Sequence, residues 1–228
     1  MEKLIKQLFY SKGFNLGPFV ILFKPFGFVY WFLMTAKWIA RHFNVNHPSF
    51  SNRDEMYKCL ISSIQGDFDY LEFGVASGES MKVWLKEEHT PKSCFYGFDT
   101  FEGLPEAWGD IQKGTYTNEG KIPNLSDPQL KFVRGLFQDT LPAFLNENKL
   151  QHPLVVHMDA DLYSSTQFVL SHLNSILRAG DFLIFDEFAC IRKSKHEFRA
   201  FLESQVSSRI ELVLKTTNHQ QVVLKVLH

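Results

Sequence analysis

The chain has 228 residues, 45% of them hydrophobic and 21% charged, which supplies a buried core for one ordinary domain and excludes the disordered and fibrous classes. Lys and Arg number 24 against 25 Asp and Glu, a formal charge of −1, so no global field or basic tail draws the chain to nucleic acid. Its three cysteines, Cys59, Cys94 and Cys190, are widely spaced and odd in number. That excludes a disulfide framework and a cysteine zinc site, and it fits a reducing, cytoplasmic setting.

Residues 1–50 read as an apolar, aromatic-rich arm ahead of one main domain, 51–228. Within the arm, residues 14–43 run FNLGPFVILFKPFGFVYWFLMTAKWIARHF, and the longest charge-free stretch is 25–36. A membrane span needs roughly 18 apolar residues or more, and Lys24-Pro25 falls where a spanning helix tolerates it least. No small-x-small cleavage site marks a secretory leader. Three readings stay open. The arm packs as a helix on the main domain or on a second subunit; or it lies on the inner membrane surface, anchored by Trp31, Trp38 and flanking Lys and Arg; or it spans. The first is preferred. Such an apolar arm also points to a homo-oligomer, most simply a dimer.

Residues 51–65 predict a short helix with Met56, Cys59, Leu60 and Ile64 on one stripe. From there apolar runs of strand length, at 69–75, 94–99, 130–135, 154–159 and 181–186, alternate with helical runs at 79–88, 140–148, 164–178 and 194–207. The chain closes on IELVLKTT and QQVVLKVL, joined by Asn218-His219, which predicts a terminal hairpin. Alternation of this kind means an α/β fold: a doubly wound, mostly parallel sheet covered on both faces with right-handed crossovers. Residues 102–127, rich in Gly and Pro, break the rhythm and predict a long loop beside the site.

In open α/β sheets ligands bind at the carboxyl ends of the strands. Glu72 lies late in the first predicted strand, Asp99, Asp159 and Asp186 each close one, and Glu187 follows at once. Any single acid there is as well explained as a helix cap. All of them together, beside apolar runs where charge is costly, predict one shared site.

The segment YLEFGVASGES (70–80) brings a strand into Gly74 and Gly78 and then starts a helix at Glu79 and Ser80. The glycines allow close backbone approach, and the helix start offers unpaired N–H groups. The spacing is not that of the dinucleotide fingerprint, and the turn has no phosphate-binding lysine. Asp99 follows Gly78 by about twenty residues, where an acid takes both hydroxyls of a ribose. Thr100 and Phe101 come next, with Phe101 either against an adenine or in the core. Asp159, Asp186 and Glu187 offer oxygen only, a set suited to Mg²⁺ or another hard divalent cation. Asp161 reads as a helix cap before a fourth ligand, and His157 as a buried, hydrogen-bonded histidine.

The phrases LEFGVASGES, YGFDTFEGLPE, RGLFQDTLP, HMDADLYSST and AGDFLIFDEF resemble the macrocin O-methyltransferase family, metal-dependent enzymes that use S-adenosylmethionine to methylate sugar hydroxyls. The resemblance implies a seven-stranded sheet of the class I methyltransferase type. It implies that Glu72, Gly74 and Gly78 shape the turn around the methionine part of S-adenosyl-L-methionine, with Ser80 nearby. Asp99 would hold the ribose, and Gln138 and Asp139 would lie near the adenine. Asp159, Asp186 and Glu187 would bind the metal, with Asp159 also the base, and the partner would be a sugar-containing small molecule. Glu187 departs from the family's usual Asp, which lengthens that arm by one methylene, and Gly180-Asp181 replaces a glycine pair. Two other accounts use the same strand ends: a silent methyltransferase-like binding protein, and a nicotinamide-dependent oxidoreductase. Arg192, Lys193 and Lys195 read as a solvated helix start before a nucleotide-sugar contact.

Overall fold

The computed structural model describes residues 27–43, 47–87, 90, 92–190 and 196–228. Helix α1 (Phe28–His42) carries Arg41 and His42 in its last turn, where positive charge suits the carbonyl end of the helix dipole. Its Trp38 ring lies 5.0 Å from Phe188 and 5.6 Å from Phe201, and Ile39 is fully buried. The described part of the arm therefore packs on the main domain. Among the described residues no helix is long and apolar enough to cross a membrane.

A short strand β1 (Ser49–Phe50) precedes α2 (Arg53–Ser63). The Asn52 side chain caps α2 by accepting from the Glu55 N–H at 3.0 Å, with Asp54 and Glu55 in the first turn. The buried stripe is Met56, Tyr57, Leu60 and Ile61; it is rotated from the expected one, and Cys59 and Ile64 sit at its margins. The alternation then unfolds as β2 (Asp69–Phe73), α3 (Glu79–Lys86), β3 (Cys94–Asp99), β4 (Leu130–Arg134), α4 (Phe137–Glu147), β5 (Leu154–Met158), α5 (Tyr163–Leu173), β6 (Phe182–Phe185), α6 (Glu197–Glu203), β7 (Ile210–Thr216) and β8 (Val222–Val226).

The strands form one eight-stranded sheet in the order β1-β7-β8-β6-β5-β2-β3-β4. Only β8 runs against its neighbours, pairing antiparallel with β6 and β7. The terminal hairpin is as expected, and β1 is an addition to the expected seven strands. At two residues, held by Phe50 accepting from Thr217 N at 2.8 Å, it is too short to show a period. Helix α4 begins ahead of the expected 140, because the extended residue is Leu136. The expected 194–207 helix is broken at extended Ser204 into α6 and a tight turn at Gln205–Ser208. Arg192, Lys193 and Lys195 fall outside the described residues.

Side chains alternate across the sheet. Leu71, Phe73, Val156 and Met158 meet a layer that includes Trp38, Phe144, Val169 and Phe201. Tyr70, Phe95 and Val155 face the other way, onto Tyr57, Leu60 and Trp84. Glu72 and His157 share the second direction by the same period. Residues 102–127 form no long element. They fold back on themselves, with Leu104 N bonded to Thr115 O and Gly114 N to Leu104 O, and their Leu104 and Trp108 pack on Leu162. Gly103, at φ +84, is obligatory in this fold-back because a Cβ would strike the Gly114 and Thr115 carbonyl oxygens.

Candidate active site

The carboxyl ends of β2, β3 and β5, with the loops after β4 and β6, surround a cavity of about 330 Å³. It is lined by the β2–α3 turn, Gly74 to Ser77 with Glu79 and Ser80, together with Asp99, Thr100 and Gln138. Arg53, Asp159, Asp161 and Glu187 also line it, with Leu104, Trp108 and Tyr116 from the long loop.

Gly74 sets the floor. Its φ is +96, and a Cβ would collide with the Asp159 carbonyl oxygen, so the turn passes directly against the start of the acidic loop. Asp99 fixes this turn: one carboxylate oxygen accepts from the N–H groups of Val75 and Ala76, each at 2.7 Å, and the other from Phe101 N at 2.7 Å. Gly78, at φ +79, packs toward Pro123 and Leu125 and closes the turn from behind.

Glu72 is fully buried and does not line the cavity. Its carboxylate accepts from the Ser80 hydroxyl and, at 2.9 Å, from the Tyr70 hydroxyl. Burial raises its pKa, partly offset by His157, Ser80 and Tyr70. Phe101 takes the core alternative: its ring is buried, edge-on to Phe132, which removes it from an adenine face. Asp139 is exposed in the first turn of α4 and does not line the cavity, whereas Gln138 does.

Asp159 and Asp186 come together with His157: one ligand atom from each lies within 4.8 Å of the others. The Asp159 side chain is 26% exposed and faces the cavity. Desolvation, then the negative charge of Asp186, Asp161 and Glu197, raises its pKa well above the usual carboxylate range. Asp186 behaves oppositely. Burial alone would push its pKa up, but contacts with His157, Arg53 and Tyr57 bring it down to about 2. It accepts from the Tyr57 hydroxyl at 3.0 Å and from Gln221 at 3.3 Å. Glu187 lines the cavity, accepts from Gln220 at 2.9 Å through Oε1, and stands outside the three-residue cluster.

Asp161 is not the expected cap. The cap position of α5 is Leu162 and has no side-chain cap bond; Asp161, at φ +60, lines the cavity. His157 is buried as expected, with Nδ1 2.7 Å from the Tyr70 hydroxyl and Nε2 3.2 Å from that of Tyr57. The same hydroxyls reach the carboxylates of Glu72 and Asp186, and Nε2 lies 3.9 Å from Asp186 Oδ1, so the imidazole sits between the two acids.

Several residues have no counterpart in the sequence reading. Arg53 reaches Asp186 at 3.2 and 3.3 Å and Asp159 at 3.8 Å. Glu197, fully buried with a raised pKa from desolvation, accepts from Glu187 N at 2.9 Å and Asp161 N at 3.3 Å. It pins both acidic loops from behind. Tyr57 and Tyr70 complete the inner network. One signal for Arg53 is present in the sequence: a cation at the first position of a helix is disfavoured by the dipole unless acids hold it.

A mostly parallel sheet with one reversed strand near its end, and a cavity across the strand ends, defines the class: this is the fold of the class I O-methyltransferases. A calicheamicin methyltransferase, CalS11, aligns with a TM-score of 0.62 and 20% identity over 76% of this chain and 77% of that one. The O-methyltransferase NovP aligns with a TM-score of 0.53 and 20% identity over 77% and 80%. At such identities the likeness is one of fold.

Residues 121–217 match the family model of macrocin-O-methyltransferase (TylF), and the resemblance read from the sequence motifs holds. The chain is 37% identical over 174 residues to a mycinamicin III 3''-O-methyltransferase of Micromonospora griseorubida, covering 64% of this chain and 66% of that protein. It is 29% identical over 163 residues to an 8-demethyl-8-(2,3-dimethoxy-alpha-L-rhamnosyl)-tetracenomycin-C 4'-O-methyltransferase of Streptomyces olivaceus, covering 61% and 60%. The matches thus span somewhat less than two thirds of these relatives.

Proposed function

We propose that the chain is an S-adenosylmethionine-dependent O-methyltransferase acting on a hydroxyl of a sugar or a glycosylated small molecule. The observation that carries this reading is the single cavity in which the glycine turn, Asp99 and Gln138 face the acidic residues Asp159 and Glu187. The relatives described above are named for methyl transfer onto sugar-bearing antibiotics, which supports the acceptor class. The free cysteines Cys59 and Cys94 suit a cytoplasmic enzyme.

The chain's residues fit the cofactor. The backbone from Gly74 to Ser77 and the side chains of Ser80, Asp99, Thr100 and Gln138 would hold S-adenosylmethionine, which supplies a methyl group on a positive sulfur. The donor set also fits a hard divalent cation: it offers carboxylate oxygens, and the ligand atoms of Asp159 and Asp186 lie within 4.8 Å of each other. Asp159, Asp186 and Glu187 would hold the ion, which supplies Lewis acidity to an acceptor hydroxyl. His157 supports this set from within, its ring nitrogens 2.7 and 3.2 Å from the Tyr70 and Tyr57 hydroxyls and its Nε2 3.9 Å from Asp186.

Asp159 is the base. Its carboxylate is partly exposed and faces the cavity where the hydroxyl must lie. Glu197 keeps the loops of Asp161 and Glu187 in place, and the Leu104–Trp108 wall excludes water, so positioning carries much of the rate. The reading is tested by incubating the protein with methyl-labelled S-adenosylmethionine and a panel of deoxysugar glycosides and nucleotide sugars, with magnesium and with EDTA. Label transfer to a sugar hydroxyl, lost with EDTA, is expected. Transfer to no acceptor, or transfer indifferent to EDTA, overturns the acceptor class or the metal part respectively.

A further inference from the structure

We infer that Arg53 is a resident counter-cation of the acidic cluster, and that its guanidinium and a divalent ion exclude one another from the same place. This inference rests on the metal part of the reading above. Arg53 Nη1 lies 3.2 and 3.3 Å from the two oxygens of Asp186 and 3.8 Å from Asp159 Oδ2. A magnesium-sized ion shared by these carboxylates needs oxygens at about 2.0–2.1 Å. The space between the two side chains is the space Nη1 fills, so both cannot be there together.

The surroundings explain why the arginine stays and how it leaves. Asp159, Asp161, Asp186, Glu187 and Glu197 crowd acidic groups at this end of the sheet, and among the described residues Arg53 is the cation paired with them. Its anchor is the first residue of α2, where the helix dipole opposes a positive charge; the acids, not the helix, hold it in position. The Arg53 side chain is 34% exposed and lines the cavity, which gives it a route to solvent without moving the backbone. A metal arriving at the cluster must therefore displace an ion pair. Arg53 sets metal affinity by competition, and in the absence of metal it keeps the two carboxylates from repelling each other.

Mn²⁺ is the probe, read by the electron paramagnetic resonance signal of the free ion during titration of wild type, Arg53→Met and Arg53→Gln. Loss of the competing charge should tighten Mn²⁺ binding by about tenfold or more, the size of an ordinary coupling between close charges. Mn²⁺ should also raise the thermal midpoint of Arg53→Met more than that of wild type. Arg53→Gln, which keeps polar atoms at the site, serves where the methionine variant does not fold. Binding by wild type with equal or weaker affinity in the variants overturns the exclusion alone. Failure of wild type and variants alike to bind Mn²⁺ overturns the metal part of the proposed function together with it.

Discussion

The carboxylates of Glu72 and Asp186 are joined through one imidazole: Glu72 to Tyr70, Tyr70 to His157, His157 to Tyr57 and Tyr57 to Asp186, at 2.9, 2.7, 3.2 and 3.0 Å. The row runs beneath the cavity, from the strand of the glycine turn to the acidic cluster, and every member is buried. Buried polar groups of this kind are stable only when fully satisfied. Tyr70→Phe leaves Glu72 Oε2 and His157 Nδ1 short of a partner and should lower unfolding free energy by about 1–3 kcal/mol. Tyr57→Phe should act similarly from the other end. The double variant should depart from additivity by about 0.5 kcal/mol or more, because both hydroxyls serve one ring. Chemical denaturation of the four proteins measures this, and strict additivity would break the row into unrelated contacts.

Asp159→Asn removes a charge from a place already crowded with acids, so the variant should fold at least as well as wild type. An amide cannot take the acceptor's proton, and turnover should fall by roughly 10²–10⁴. S-adenosylhomocysteine affinity, measured by calorimetry, should change little. Undiminished methyl transfer would remove Asp159 from the role of base.

Gly74→Ala tests the contact that fixes the turn against the acidic loop. The residue sits at φ +96, and the added methyl meets the Asp159 carbonyl. A strained left-handed residue costs about 1–3 kcal/mol, and the collision adds to it. The expected result is a lower thermal midpoint together with lost S-adenosylhomocysteine binding. A variant with wild-type stability and binding would show that the turn does not depend on this approach.

Asp181 offers a pH test away from the site. Burial raises its pKa above the ordinary value of 3.8, against the opposing bonds from Arg178 and Leu154. The native state therefore holds this proton more tightly than the unfolded chain does. The stabilisation is full below the unfolded value and is lost as pH rises through the higher folded value. The stability difference between wild type and Asp181→Asn should thus favour wild type more at pH 4 than at pH 7. A difference that stays constant or grows with pH contradicts the sign.

The strand ends were legible in the sequence because each of Asp99, Asp159 and Asp186 closes an apolar run, where an ionised side chain stands out against its neighbours. Glu72 was legible by position but not by direction. Period-two alternation sends it into the layer of Tyr57 and Tyr70, and the β3 strand end, not β2, presents its acid to the turn. Tyr57 and Tyr70 look like ordinary core aromatics in a chain with 23 Phe, and their role comes from hydroxyl partners of which only Glu72 is near in sequence, His157 and Asp186 lying 87 to 129 residues away. Arg53 lies 133 residues from Asp186, a pairing that no local pattern carries. Phe101 followed the abundance of its type into the core.

Tyr116 stands at the cavity mouth, 52% exposed, on the loop whose fold-back Gly103 permits. Burial, and then the charges of Asp161, Glu187 and Asp159, raises its phenol pKa, and the ring lines the same cavity as these acids. An exposed aromatic face in that position suits the C–H face of a sugar, and contacts of aromatic type contribute about 0.5–1.5 kcal/mol. Tyr116→Ala should therefore raise the acceptor KM by roughly two- to tenfold, while Tyr116→Phe, which keeps the face, should change it little. S-adenosylhomocysteine affinity should be the same in all three proteins if the ring serves the acceptor. An equal loss in the alanine and phenylalanine variants would assign the contribution to the hydroxyl, and a parallel loss of cofactor affinity would move Tyr116 to the cofactor side of the cavity.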